Sequence, residues 1–185
     1  MKTGDDGYAY PTFERGFDTA RVLSGREERA HVQKILLSAR GVSFLLQISL
    51  NIPGLPKDLP ESRNVLPLAA GAFAEKFREP PGVRVSLSNG AGRAEIFSFG
   101  GDAVSAKASA VEIEEGYEWG RIIDADVITP DGPLSRSRLG VGPRRCLLCD
   151  ESAKICARAR AHGVDELRAE VRRLARLALR GALCP

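Results

Sequence analysis

At residues 121–128 the chain reads RIIDADVI, and the turn sequence TPDG follows at residues 129–132. Successive side chains of a β-strand point to opposite faces, so residues two apart share a face. Asp124 and Asp126 therefore project together, whereas the apolar residues beside them face the other way. This alternation predicts a strand with one buried face and one acidic face.

Patterns typical of helices and of strands flank this segment. Apolar residues recur at helical spacing in several places, and strand patterns at residues 83–88 and 94–99 flank a glycine-rich turn, as in a β-hairpin. Residues 111–114 alternate as a strand does, but they can equally continue the helix predicted before them. The remaining predicted elements are a strand at 42–50 and helices at 19–39, 61–77, 103–110, 152–161 and 164–180.

The order of these elements predicts an α+β fold. Strands and helices do not alternate regularly, as they would around a parallel sheet. We therefore expect a mixed, largely antiparallel sheet that is packed by helices and followed by a C-terminal helical segment. Glycines and a proline near the start predict a flexible N-terminal extension at residues 1–18, and residues 19–183 are expected to form a single domain.

The composition bounds the class of protein. The chain has 185 residues, of which 43% are hydrophobic and 28% are charged, as is typical of globular proteins. No apolar run approaches the roughly eighteen residues of a membrane span. The first residues also lack the apolar core of a secretory signal. We therefore expect a cytoplasmic protein without a membrane partner.

Charge is distributed unevenly along the chain. The net charge is only +3, but residues 136–180 contain twelve basic and five acidic residues, a net charge of +7. The rest of the chain therefore carries −4. A basic C-terminal quarter beside an acidic body indicates an anionic partner, such as a phosphorylated ligand or an acidic protein. Arginines that only solvate a helix face are the other interpretation, chiefly for the last helix.

Two aspartates on one strand face indicate a site for a divalent cation. Neighbouring carboxylates repel each other, and Mg²⁺ prefers hard oxygen ligands, usually one or two carboxylates together with phosphates and water. Asp124 and Asp126 are the candidate ligands, with Glu114 as a third if its segment lies beside the strand. Arg121 also projects from the strand, on the apolar parity. A strand face that is merely exposed to solvent can show the same pattern.

Three of the four cysteines lie within eleven residues. Cys146 and Cys149 have the C-x-x-C spacing that brings two thiolates to one metal ion, and Cys156 and His162 can complete a four-ligand zinc site. Six residues of α-helix would leave Cys156 and His162 about 120° apart, unless the helix ends early, as Gly163 allows. Reduced cysteines packed as small apolar side chains, or a redox pair or nucleophile, are the other interpretations.

Basic residues surround the cysteines. Guanidinium groups match phosphate oxygens in both geometry and charge. The sequence therefore suggests a polyphosphate-binding function for Arg144, Arg145, Arg158 and His162.

These motifs together resemble those of the apo-citrate lyase phosphoribosyl-dephospho-CoA transferase family. The similarity follows the family's order from about residue 22 to residue 170. In the C-terminal half the matching residues are Gly120-Arg121 with Asp124-Ala125-Asp126-Val127, PRRCLLC at 143–149, Cys156-Ala157-Arg158 and His162. In the N-terminal half they are Leu23, REER at 26–29, Gln33, Ile52-Pro53-Gly54 and Lys57.

The resemblance implies a nucleotidyltransferase that matures citrate lyase. Such enzymes transfer the prosthetic group from 2′-(5″-triphosphoribosyl)-3′-dephospho-CoA to a serine of the citrate lyase acyl carrier (γ) subunit, and pyrophosphate leaves. The resemblance implies catalytic roles for Asp124, Asp126 and Arg121, with Mg²⁺ as the cofactor. The donor-binding residues that it implies are Arg26, Arg29, Lys57, Arg144, Arg145, Arg158 and His162.

One segment departs from the family pattern. Tyr117-Glu118-Trp119 stands where the family commonly has a His-Pro-Leu-like segment. If that histidine acts as the base or as a hydrogen-bond donor to the leaving group, this chain lacks it, and tyrosine is a poor base near pH 7. Activity or substrate would then differ from those of the typical member.

Two alternative functions remain open. The first is the related maturation of a malonate decarboxylase carrier subunit, since carrier choice depends on surface shape. The second is a non-enzymatic, zinc-stabilised module whose basic tail binds nucleic acid. The tail lacks aromatic residues interleaved with its basic ones, so the base-stacking surfaces of such modules are missing. The main interpretation therefore includes no nucleic-acid partner.

Overall fold

A five-stranded antiparallel sheet forms the centre of the protein in the computed structural model, which describes residues 15–77 and 80–183. The strands lie in the order β2-β3-β1-β4-β5, and each neighbouring pair is antiparallel. The α+β prediction is confirmed. The strand bounds are Phe44–Leu50 (β1), Arg84–Asn89 (β2), Gly92–Phe99 (β3), Ile123–Thr129 (β4) and Gly132–Pro133 (β5).

Five α-helices surround the sheet in the described part of the chain. They are Arg15–Leu37 (α1), Ser62–Lys76 (α2), Ala103–Gly116 (α3), Ala153–Ala159 (α4) and Val164–Leu183 (α5). Two short 3₁₀ turns, Glu118–Ile122 and Arg136–Leu139, flank β4 and β5. No helix among the described residues is long and apolar enough to cross a membrane.

The two faces of the sheet have different chemistry. Phe44, Leu46 and Ile48 of β1 point into the main core, which the sheet forms with α2, α3 and α5. Gln47 lies on the opposite face, where its Oε1 accepts a hydrogen bond of 2.8 Å from Gln33 Nε2 of α1. The sheet therefore separates an apolar layer from a polar layer beneath α1.

Several element boundaries differ from the predictions. Residues 111–114 continue α3, so their alternation does not mark a strand. β4 begins at Ile123 because the preceding 3₁₀ turn packs closely on α3; a Cβ at Gly120 would lie 2.3 Å from the Ile113 carbonyl oxygen. Of the predicted extension at 1–18, residues 1–14 lie outside the described part, and α1 begins at Arg15.

In the last helix, apolar residues recur at helical spacing at Val164, Leu167, Val171, Leu174 and Leu177, which predicts an apolar stripe packed on the body. The structure confirms this stripe over most of its length. Val171 and Leu174 are buried in the core, and Leu167 and Leu177 pack against it. Val164, at the start of α5, is instead 49% exposed. The stripe thus anchors α5 to the body from Leu167 onward and leaves Val164 partly exposed.

Leu174→Ala should lower the free energy of unfolding by about 2–5 kcal/mol, because Leu174 is fully buried and its truncation leaves a cavity. Arg176→Ala, at an exposed position of the same helix, is the matched control and should change stability by less than about 0.5 kcal/mol. Urea unfolding followed by circular dichroism measures both. Similar values for the two variants would contradict the packing of α5.

Candidate active site

Asp124 and Asp126 project from the face of β4 that is turned away from the main core. In the register of the sheet, Asp124 lies opposite Ser49 of β1, and Asp126 lies opposite Gln47. Between them, Ala125 is buried in the core, as the alternation predicts. Both carboxylates open into a cleft of about 310 Å³ between the sheet and α1.

Three basic side chains line this carboxylate cleft together with the aspartates. Arg26 and Arg29 come from α1, and Lys57 comes from the loop after β1. Arg29 is held in place by hydrogen bonds from its guanidinium to the carbonyl oxygens of Ala91 and Gly92, at 2.9 and 3.0 Å. The structure therefore brings together the three cations that the family resemblance implies in the N-terminal half.

Arg29 and Lys57 are partly desolvated, and the charge of Arg26 repels both of them. Burial lowers the pKa of Arg29, and the charge of Arg26 adds to this effect, whereas Asp124 and Asp126 oppose it. Burial also lowers the pKa of Lys57, again with a contribution from Arg26. A cleft lined by both clustered cations and carboxylates is suited to hold a polyphosphate together with a divalent cation.

The two aspartates differ in their surroundings. Burial, followed by the negative charge of Asp124, raises the pKa of Asp126 to about 6, and Lys107 and Arg144 only partly offset this rise. Asp124 is 46% exposed and lies 3.3 Å from the Arg144 guanidinium. A cation between the carboxylates would relieve their repulsion and would favour the ionised form of Asp126.

The cleft also contains polar residues that the sequence analysis did not assign to the site. Gln33, Gln47, Ser49 and Asn51 line it beside the aspartates. The sequence contains a signal for Gln47, because this residue interrupts the apolar run of β1. In the structure Gln47 is only 7% exposed. A buried amide within a core strand indicates a polar partner, which here is Gln33.

Glu114 lies beside β4, as anticipated, but its carboxylate already has several partners. Its Oε1 accepts a hydrogen bond of 2.8 Å from the backbone N–H of Ala125, and it also pairs with Arg136 and Arg144. Lys107 completes the arrangement by donating to the carbonyl oxygen of Ala125 at 2.9 Å. Lys107 and Arg136, which the sequence analysis did not single out, are part of the support of the site.

The remaining predicted arginines occupy different positions. Arg121 lies in the 3₁₀ turn before β4, where it donates to the carbonyl oxygen of Cys146 rather than lining the carboxylate cleft. Arg145 is 73% exposed and pairs loosely with Asp150 at 3.6 Å. Arg158 is exposed on α4 and does not line the carboxylate cleft. Only Arg144 touches an aspartate of the pair directly.

The cysteines and the histidine converge on one point. One ligand atom each from Cys146, Cys149, Cys156 and His162 lies within 4.8 Å of the others. Cys149 Sγ is 3.4 Å from Cys156 Sγ and 3.3 Å from His162 Nε2. Burial acts to raise the pKa of the Cys146 thiol, but hydrogen bonds, including those from the backbone amides of Leu148 and Cys149, leave this pKa lowered. The geometry of this Cys₃His cluster is suited to hold a metal ion.

Helix α4 ends early enough to bring His162 into the cluster. The helix stops at Ala159, and Arg160 adopts a left-handed conformation with φ of 50°. The chain therefore turns back before His162, and the angular conflict of a continuous helix does not arise. Asn and Gly adopt this conformation more readily than arginine, which explains why the turn was not evident at this position.

A small hairpin links the cluster to the arginine segment. The backbone N–H of Cys146 donates to the Glu151 carbonyl at 2.7 Å, and that of Ala153 donates to the Arg144 carbonyl at 2.9 Å. A change in the structure of the Cys₃His cluster would therefore also shift the backbone that positions Arg144.

The family model of apo-citrate lyase phosphoribosyl-dephospho-CoA transferase (CitX) matches residues 18–177, which include the carboxylate cleft and the Cys₃His cluster. The chain belongs to this family. A relative of that name from Escherichia coli O9:H4 (strain HS) is 33% identical over 150 residues, covering 79% of this chain and 81% of the relative. One from Shigella boydii serotype 18 (strain CDC 3083-94 / BS512) shows the same identity and coverage. The prediction of a transferase of citrate lyase maturation is confirmed.

The segment that departs from the family pattern lies outside the carboxylate cleft. The rings of Tyr117 and Trp119 stack with centroids 4.8 Å apart, and Glu118 pairs with Arg173 of α5 at 2.8 Å. None of the three residues lines the cleft. The Tyr-Glu-Trp sequence thus packs the junction of α3 with α5 and leaves the arrangement of the aspartates to other residues.

Asp126→Asn should stabilise the protein at neutral pH. Because the pKa of Asp126 is raised to about 6 on folding, the folded state retains a proton between about pH 4 and pH 6 that the unfolded chain has released. The free energy of unfolding therefore falls as pH rises through this window. In urea titrations without added Mg²⁺, the variant should gain about 1–3 kcal/mol at pH 7.5, and the gain should disappear below pH 4.

Asp131→Asn, in the exposed turn after β4, is the control for the removal of a carboxylate outside the cleft. An equal gain for Asp126→Asn at both pH values would contradict the titration.

Proposed function

We propose that this chain attaches the prosthetic group of citrate lyase to its acyl carrier subunit. The donor is 2′-(5″-triphosphoribosyl)-3′-dephospho-CoA, and the acceptor is a serine hydroxyl of the carrier. The observation that carries the proposal is the carboxylate cleft, in which Asp124 and Asp126 face Arg26, Arg29 and Lys57, in a chain of this family. Opposed carboxylates and cations are what transfer from a triphosphate requires.

In the proposed reaction the serine oxygen forms a bond to the α-phosphorus of the donor. The bond from this phosphorus to the bridging oxygen of the β-phosphate breaks, and pyrophosphate leaves with the electron pair. The serine proton passes to water. Arg26, Arg29 and Lys57 hold the triphosphate oxygens and stabilise the charge that develops on the leaving group.

Asp124 and Asp126 are the proposed ligands of Mg²⁺, which when bound supplies charge neutralisation at the phosphates. Glu114, expected from the sequence as a third ligand, has a different proposed role because Ala125, Arg136 and Arg144 already engage its oxygens. It positions β4 and the guanidinium of Arg144, which in turn lies against Asp124. Arg121 is proposed to act in the same indirect way, by holding the arginine segment through Cys146.

We further propose that the Cys₃His cluster binds a structural Zn²⁺ ion. Thiolate and imidazole are the ligands that zinc prefers, and four protein ligands without an open position are typical of structural sites. Cys146 and Cys156 are buried, and the other two ligands are partly buried, so the site is sheltered from solvent. His162 serves as a zinc ligand in this proposal rather than as a phosphate-binding residue.

The acyl carrier is the proposed protein partner. Residues 136–180 carry the net charge of +7, and Arg145 and Arg158 are exposed there, Arg145 with only a loose ion pair to Asp150. An acidic carrier would be attracted to this surface, and the attraction would weaken as salt increases.

Intact-mass analysis of an apo citrate lyase carrier tests the function. After incubation with the protein, Mg²⁺ and the donor, the carrier should gain the mass of the phosphoribosyl-dephospho-CoA group, and a carrier with alanine at the acceptor serine should not. A malonate decarboxylase carrier is assayed in parallel. If only the malonate decarboxylase carrier is modified, that carrier is the acceptor instead of the citrate lyase carrier. If neither carrier gains mass while an active relative modifies its carrier in a parallel reaction, the transferase proposal is refuted.

Asp124→Asn and Asp126→Asn should each lower kcat at least about 100-fold, because each removes a charged ligand of the proposed Mg²⁺ site. Asp131→Asn, which removes one carboxylate from the nearby exposed turn, should retain full activity. Initial rates of pyrophosphate release measure all three. Wild-type rates for both cleft variants would exclude the metal site.

The purified protein should contain about one zinc ion per chain. Cys149→Ser should remove most of it and lower the melting temperature, because the site is then one ligand short. Cys184→Ser, which changes the fourth cysteine of the chain, is the matched control and should keep the metal. Elemental analysis by mass spectrometry measures the zinc content of each protein. A fully folded wild-type protein without zinc would contradict the proposal.

A further inference from the structure

A second groove, of about 780 Å³, continues from the carboxylate cleft toward α4 and α5. The two cavities share Asn51, Ile52 and Lys57 in their linings, so they are adjacent, and an extended ligand that passes these three residues can reach both. A volume of this size is typical of sites for small molecules and cofactors. The groove therefore provides room for a large part of a donor whose reacting phosphate lies at the aspartates.

The lining of the groove combines an apolar wall with a basic rim. Leu147 and Leu167 supply apolar surface, and Val164 remains 49% exposed at its edge. Lys154 and Arg160 lie on the rim, and neither has an ion-pair partner among residues 15–77 and 80–183. Exposed apolar surface beside unpaired cations is suited to a ligand that has both apolar and anionic parts.

The wall formed by the loop after β1 is held in a fixed shape. Arg168 is only 8% exposed and donates from α5 to the carbonyl oxygens of Pro53 and Pro56, at 2.9 and 3.1 Å. Gly54 has φ of +67°, and a Cβ at this position would lie 2.5 Å from Val164 Cγ1. The loop thus approaches the start of α5 as closely as its backbone permits, and the groove exists before any ligand binds.

We infer that this groove binds the dephospho-CoA part of the donor. The inference rests on the proposed function and extends it from the reacting phosphates to the rest of the substrate. Adenine and the pantetheine arm match the apolar wall, and the diphosphate that joins them matches Lys154 and Arg160. The triphosphate end of the same molecule then reaches the carboxylate cleft past Lys57.

Another apolar cavity of the described chain does not meet these requirements. It encloses about 390 Å³ between α2 and the sheet, and Phe73, Phe77, Pro80 and Pro81 are among its lining residues. No charged side chain lines it, and it shares no residue with the carboxylate cleft. A diphosphate there would lose its hydration without gaining a cation.

Two substitutions with matched controls test the groove. Ala157→Trp places a large ring into the groove from an exposed position of α4, and Ala159→Trp makes the same change two residues on, outside the lining. Lys154→Glu reverses a charge on the rim, and Lys34→Glu does so at an exposed position of α1 that lines neither cavity. Zinc content is measured for each variant to verify that the Cys₃His cluster is intact.

The readouts are the KM for the donor and the affinity for dephospho-CoA, measured by calorimetry with dephospho-CoA alone. Ala157→Trp and Lys154→Glu should each raise the KM and weaken dephospho-CoA binding about 10-fold, with kcat nearly unchanged, while both controls match the wild type. In the wild type, dephospho-CoA should compete with the donor.

The outcomes separate this inference from the proposed function. If the wild type transfers the group but both groove variants behave like their controls, the donor binds elsewhere and only the inference fails. If the wild type binds dephospho-CoA in the groove but modifies no carrier, the proposed function fails and the binding site stands. A wild type that transfers the group but shows no competition by dephospho-CoA also overturns the inference.

Discussion

The free edge of β4 is the constraint from which much of the site follows. β5 is only two residues long, so it leaves both backbone polar groups of Ala125 without a strand partner, and this residue is buried. Buried backbone groups must be hydrogen-bonded, and Glu114 and Lys107 of α3 fulfil this requirement with side chains. The negative charge of Glu114 then requires compensation of its own, which Arg136 and Arg144 provide. In this way the need to satisfy one strand residue places a guanidinium beside the aspartates.

The same strand serves stability and chemistry through its two faces. Its apolar residues lie in a core built with three helices, and its carboxylates face a polar layer beneath α1. The packed core holds the backbone of β4 in place and thereby fixes the positions of the carboxylates. Because side chains alternate along the strand, the polar site does not interrupt the apolar core. The raised pKa of Asp126 shows the cost of placing two carboxylates on so sheltered a surface.

Periodic features of the fold were predictable from the sequence, and contacts between distant segments were not. The alternation at 123–127 gives the faces of β4, and the apolar stripe of α5 gives its packing. Residues 111–114 show the limit of the method, because four residues fit a strand or a helix equally well. The end of α4 depends on a left-handed arginine, for which local sequence offers little signal. Arg136 and Lys107 gain their roles only through partners far along the chain.

The attachment of α1 has a consequence for the energetics of ligand binding. This helix is held to the β2–β3 turn by hydrogen bonds such as those of Asn89 with Gly25 and Glu28, and it carries Arg26 and Arg29. A local opening that detaches α1 would remove one wall of the carboxylate cleft while leaving the main core intact. Any ligand that bridges the sheet and α1 therefore adds its binding free energy to the stability of this one helix. Amide hydrogen exchange along α1 is thus expected to report occupancy of the cleft more sensitively than the melting of the whole protein.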